Sequence, residues 1–72
     1  MPLITLRTLE GLLTSEQKKT MIERLTDAAL SVEGPAFRSV AWVINEEIPS
    51  GAWGIGGQAL TTEAARKIAA GA

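Results

Sequence analysis

Thr14-Ser15-Glu16-Gln17 opens the stretch that decides the fold of this 72-residue chain. A threonine followed at that spacing by a glutamine is the signature of a capping box. In it, each side chain satisfies a backbone amide left without a partner at a helix start. Beyond it, Met21, Leu25, Ala28, Ala29 and Val32 recur at helical spacing, while Lys18, Lys19, Glu23 and Asp27 fall mostly on the opposite side. The pattern predicts an amphipathic helix from Thr14 to Val32 with one face against a sheet. Gly34-Pro35 stops it, because glycine tolerates the backbone turn that ends a helix and proline cannot continue one.

Reading outward, both flanks look extended. Leu3-Ile4-Thr5-Leu6-Arg7-Thr8-Leu9 is short and apolar, with threonines that suit a pleated surface, and Gly11 ends it. As a strand it places Ile4, Leu6 and Thr8 on one face, with Leu3, Thr5, Arg7 and Leu9 on the other. On the far side of the helix, Val40-Ala41-Trp42-Val43-Ile44-Asn45 is nearly continuous in apolar residues, as befits a strand covered on both faces. Strand, helix and strand in that order predict an α/β protomer. It is a βαβ unit with parallel strands and a right-handed crossover.

The remainder reads as appendages to that unit. Pro49-Ser50-Gly51 is a turn, and Trp53-Gly54-Ile55-Gly56-Gly57 is a short hairpin or a tail pairing with a neighbouring subunit. Gly54-Ile55-Gly56-Gly57-Gln58-Ala59 also fits a loose dinucleotide fingerprint. It does not open the βαβ crossover, however, and too little chain follows for an acidic ribose contact. Hairpin glycines with positive φ are the better reading. Thr61 to Ala70 predicts a short, fraying helix, with Glu63 early and Arg66 and Lys67 late to complement its dipole.

Composition sets the limits. The length fits a single domain over residues 1–72, and a two-stranded sheet is too small to stand alone. With 46% apolar residues and no cysteine to form a disulfide, oligomerisation is the expected source of stability. The net charge of −1, with seven scattered Lys and Arg residues, argues against a nucleic-acid surface. No apolar run is long enough for a membrane helix and no signal sequence is visible, so the expectation is a cytoplasmic protein. Without histidine or cysteine, neither a Ser-His-Asp triad nor a His/Cys zinc site can be built from this chain. The adjacent Glu46 and Glu47 point to opposite faces of an extended strand and cannot work as an acid–base pair.

One catalyst survives this pruning. Pro2 has a small side chain directly after Met1, so the methionine is expected to be trimmed, leaving a secondary amine at the chain end. An α-amino group sits nearer neutrality than lysine, and apolar burial lowers it further. That is the tuning a general base needs.

Together, Pro2, Leu9-Glu10-Gly11, Ser15-Glu16-Gln17-Lys18, Glu46 and Gly54-Ile55-Gly56-Gly57 resemble the 4-oxalocrotonate tautomerase family of the tautomerase superfamily. The resemblance extends to about Ala59. It implies a βαβ protomer that dimerises through its sheet, with dimers assembling into a hexamer. It also implies a tautomerase in which Pro2 shuttles a proton during enol–keto interconversion of a 2-hydroxy-dienoate or enol-pyruvate, with no cofactor. Trp53 matches the position where the family places an aromatic wall from a neighbouring subunit. Leu9 falls among the substrate-binding positions.

Two departures stand out. The family's arginine after Leu-Glu-Gly corresponds to Leu12, and its second-strand arginine to Ala41. Losing both removes charge-assisted hydrogen bonds for a dicarboxylate and for a developing enolate. Arg7 and Arg38 are the candidate substitutes. The plainer expectation for Arg7 is a salt bridge with Glu10 or Glu47 of a neighbour, and for Arg38 a solvated loop charge. The partners implied are a small 2-oxo acid or enol substrate and a homo-hexamer, with a hetero-hexamer or a trimer as alternatives. In a hetero-oligomer the chain would be a structural or weakly active subunit whose companion supplies the arginines. A dehalogenase- or hydratase-type activity is the further alternative.

Overall fold

The computed structural model describes residues 1–71. Strand β1 (Leu3–Leu9) leads through a corner at Gly11 into helix α1 (Ser15–Glu33), and a 3-10 turn over Pro35–Val40 delivers the chain to β2 (Trp42–Ile48). A hairpin of β3 (Trp53–Ile55) and β4 (Gln58–Leu60) follows, and helix α2 (Thr62–Ala69) ends the described chain. Strands β1 and β2 pair in parallel from Leu3↔Trp42 to Leu9↔Ile48, which is the βαβ unit read from the sequence.

The capping box forms as expected. The Thr14 hydroxyl accepts from the Gln17 amide at 3.1 Å, and the Thr14 amide donates to Gln17 Oε1 at 2.9 Å. The apolar face of α1 is drawn differently from the expectation. Leu30 is buried, whereas Val32 is 88% exposed. Two residues of helix turn the chain by more than half a revolution, so these two side chains cannot share a face. The sheet takes Leu30.

Strand β2 also departs from its expected span. It starts at Trp42 because Val40 still belongs to the 3-10 turn, and it continues through Glu46 and Glu47 to Ile48. The two carboxylates are tolerated because each finds a cation on its own side. Arg7, opposite Glu46 in register, donates to it at 3.0 Å. Lys18 of α1 holds Glu47. Within the protomer the partner of Arg7 is thus Glu46. On the helix side, Thr8 donates to Asn45 Oδ1 at 3.1 Å, which satisfies a polar pair within the sheet.

Coverage of both faces of β2 was expected; within the single protomer one face of the sheet is open. Ile4, Leu6, Val43 and Asn45 are half-buried on the helix side, while Leu3 and Trp42 on the other face are 65% and 62% exposed. Among the described residues the buried hydrophobics are Leu9, Leu30 and Ala65. The Cα radius of gyration is 14.8 Å, against about 11 Å for a compact chain of this length. The protomer is elongated and its core is thin.

The glycine-rich segment is a hairpin. Gly56 and Gly57 take φ of 59° and 84° at its turn, and two consecutive positive φ values are what the favoured two-residue hairpin loop requires. Helix α2 is firmer than a fraying tail at its start. Thr61 accepts from the Ala64 amide as N-cap, and the first turn is tied to the body by contacts described below.

Candidate active site

Pro2 stands at the entrance to β1, half-buried, with its carbonyl accepting the Trp42 amide at 3.0 Å. Proline suits this place, since the first residue of a strand can do without an N–H in the ladder. The Met1 ammonium donates to Glu33 Oε1 at 2.7 Å. Helix α1 carries no basic residue in its last turn, so this amine supplies the cation that a helix C-terminus favours. With Met1 attached, the Pro2 nitrogen is an amide without basicity. Its removal leaves a secondary amine at the strand end.

The other end of β1 gathers most of the remaining candidates. Arg7 and Trp53 line two adjoining hollows. One, of about 270 Å³, is completed by Ile48, Ala52 and Gly54. The other, of about 250 Å³, is completed by Thr8, Leu9, Leu12 and Leu60. Leu9, 3% exposed, belongs to the packed wall of the second hollow. Arg7 lies five steps along the strand from Pro2, a span of roughly 16 Å, so one protomer does not bring Pro2 and Trp53 to the same place. Arg38 lines neither hollow. It lies in the 3-10 turn and donates to Asp27 Oδ1 of α1 at 2.6 Å, both side chains being about 60% exposed. A larger hollow of about 460 Å³ along α1, with Leu13, Met21 and Leu25 among its walls, shares no residue with either.

The corner between β1 and α1 is the most tightly built part of the surface. Ser50 donates its amide to Glu10 Oε1 at 3.0 Å, and its hydroxyl accepts the Thr62 amide at 2.9 Å. The Thr62 hydroxyl donates to the Glu10 carbonyl at 2.7 Å, and Arg66 Nη2 to the Gly11 carbonyl at 3.1 Å. Gly11 has φ of 80°, and a Cβ there would lie 3.1 Å from Thr62 Cγ2. Glycine is therefore favoured by the positive φ, and the space for a side chain is tight. Beneath the corner, the Glu47 carboxyl is held below the usual glutamate range, chiefly by its hydrogen bond to Lys18, with the Gly11 backbone contributing.

Arg66 is the side chain that the sequence reading overlooked. Its late place in a helix explained it as a dipole partner, and that explanation closed the question. The available signal was its spacing from Thr62, which sets both on one face of α2.

Known proteins agree with this architecture. The family model for the tautomerase enzymes matches residues 2–63. An apo unfused 4-OT is 35% identical over 82% of this chain and 93% of its own, with a TM-score of 0.73. A 4-oxalocrotonate tautomerase isozyme from Methylibium petroleiphilum is 32% identical over 89% of this chain and 97% of its own, with a TM-score of 0.71. TomN, a 4-oxalocrotonate tautomerase homologue of the tomaymycin biosynthetic pathway, is 31% identical over 99% of this chain and 100% of its own, with a TM-score of 0.74. No curated protein matches the chain. A parallel βαβ unit, a proline at the mouth of its first strand and these matches lead to one assignment: the chain belongs to the 4-oxalocrotonate tautomerase family of the tautomerase superfamily.

Proposed function

We propose that this tautomerase-type isomerase interconverts the enol and keto forms of a 2-oxo acid, with Pro2 as general base once Met1 is removed. The observation that carries the reading is the setting of Pro2. Its carbonyl is fixed by Trp42 in the sheet ladder, so the amine freed by trimming projects from a rigid strand end. The amine takes the enol hydroxyl proton of a 2-hydroxy-dienoate or enol-pyruvate as the double bonds shift. The ammonium formed then returns that proton to a carbon of the same substrate. Oxygen loses the proton, carbon gains it, and no electrons leave the substrate, so the cycle closes without a cofactor.

This reading requires a second protomer. Pro2 and Trp53 lie at opposite ends of the sheet, and the apolar side chains Leu3, Trp42 and Ile44 stand exposed on its open face. Burying that face brings separate protomers together, and a homo-hexamer built of dimers suits both needs. Trp53 of one protomer then walls the Pro2 site of another, excluding water and lowering the amine pKa.

The test is ketonisation by protein whose mass shows that Met1 is absent. Phenylenolpyruvate as a monocarboxylate is compared with 2-hydroxymuconate as a dicarboxylate. Turnover of the monocarboxylate is expected, and Pro2→Ala should lower kcat by about 10²–10⁴-fold. Equal rates for Pro2→Ala and the parent protein would remove Pro2 from the mechanism.

A further inference from the structure

The hairpin that carries Trp53 shares no ladder with the parallel sheet. Among the described residues, β1–β2 and β3–β4 are separate two-stranded sheets. Trp53 pairs with Leu60 where the two legs of the hairpin begin and end, and Gly51 donates its amide to the Leu60 carbonyl at 3.0 Å just outside that pair. Ser50 flanks the incoming leg and Thr62 the outgoing one, and both are bound by Glu10. The Ser50 amide donates to Glu10 Oε1 at 3.0 Å, and the Thr62 hydroxyl donates to the Glu10 carbonyl at 2.7 Å. The Thr62 amide closes the ring on the Ser50 hydroxyl at 2.9 Å.

Glu10 is itself fixed by the parallel sheet, since its amide donates to the Ile48 carbonyl at 2.8 Å. One residue thus joins a rigid strand end to both legs of the hairpin. Its carboxylate makes the stronger bond of the two kinds, because an amide donated to an ionised acceptor exceeds one donated to a neutral carbonyl. The apolar contacts are of another nature. Leu9, Leu12 and Leu60 line a hollow with Trp53, and hydrophobic contact presses surfaces together without fixing an angle. Trp53 lies three residues beyond Ser50, so a shift at the base of the hairpin is passed on to the indole.

We infer that Glu10 is a positioning residue for Trp53. Its two hydrogen bonds set the angle of the hairpin, and with it the place of the indole in the site of a neighbouring protomer. The inference rests on the proposed reading of Trp53 as the wall of that site. It gives the corner a part in the reaction beside its part in stability.

The chain has two tryptophans, and the second provides the reference. Trp42 pairs with Leu3, at the far end of the sheet from Glu10. In protein with labelled indole nitrogens and Met1 removed, Glu10→Ala should move the Trp53 Nε1–H resonance and leave that of Trp42 in place. Glu10→Gln keeps an oxygen for the Ser50 amide and should restore the Trp53 resonance. Thr62→Val removes the other bond while Glu10 stays, and should move the same resonance, which keeps the test open where Glu10→Ala does not fold. With phenylenolpyruvate, Glu10→Ala should lower kcat/KM roughly tenfold or more. Trp53→Ala added to Glu10→Ala should then cost less than Trp53→Ala alone, as coupled positions do. A Trp53 resonance unmoved in folded Glu10→Ala or Thr62→Val, equal movement of Trp42, or strictly additive rate losses would each overturn the inference. Parent-like rates in Pro2→Ala would instead remove the proton-transfer reading, while the indole resonances still decide whether Glu10 sets Trp53.

Discussion

The two ends of the parallel sheet are built on opposite plans. At the Glu10 end, Leu9 is buried, and Ser50, Thr62 and Arg66 converge on a single corner through four hydrogen bonds. At the Pro2 end, Met1, Leu3 and Trp42 are exposed, and the nearby charges meet in surface ion pairs of a kind worth about 0–1 kcal/mol each. One end is finished within the protomer. The other presents apolar side chains and a future amine to whatever packs against it. The lesson is a division of labour along one strand, with stability at its C-terminal end and the proposed chemistry at its start.

The strongest blow to this contrast is Leu9→Ala. Truncating a side chain that is 3% exposed should cost about 2–5 kcal/mol, read as a lower denaturation midpoint. A loss below about 0.5 kcal/mol, the range of an ordinary surface substitution, would show that the Glu10 end is not the protomer's own anchor. Trp42→Glu addresses the opposite end. A charge on the open face should lower the native mass by sedimentation, with helix content kept, and an unchanged mass would place the subunit contacts elsewhere.

The smallest effect concerns the Lys18–Glu47 pair beneath the corner. The Glu47 pKa is lowered in the folded chain, so its stabilisation is complete above the ordinary glutamate value of about 4.3. It is lost as pH falls through the lower folded value. Glu47→Gln should therefore melt below the parent protein at neutral pH, with the difference disappearing in acid as Glu47 takes up its proton. A difference that persists in acid would assign the effect to packing instead of charge.

Much of the fold was legible because it rests on local signals. Thr14 and Gln17 mark a helix start by chemistry confined to one turn, and Gly34-Pro35 and Gly56-Gly57 mark a stop and a hairpin in the same way. What escaped depended on distant partners. The passage of β2 through Glu46 and Glu47 makes sense only once Arg7 and Lys18 are seen beside them. Leu30 displaced Val32 from the core because the sheet, rather than the helix pattern, selects the buried face. The candidate site divided likewise. Pro2 stood out from its position and from the absence of other catalysts. Arg66 acquired its setting only through its hydrogen bond to Gly11, more than fifty residues away in sequence.

The parallel register has a consequence in time. Strand β1 emerges well before its strand partner among the described residues, which begins at Trp42. At about 5–20 residues per second, roughly 2–8 s separate the two strands. Throughout that interval Met1 leads an unpaired, extended chain, and the ion pair with Glu33 cannot yet exist. The trimming that the proposed role of Pro2 requires would thus meet a chain end that the Glu33 contact does not yet hold.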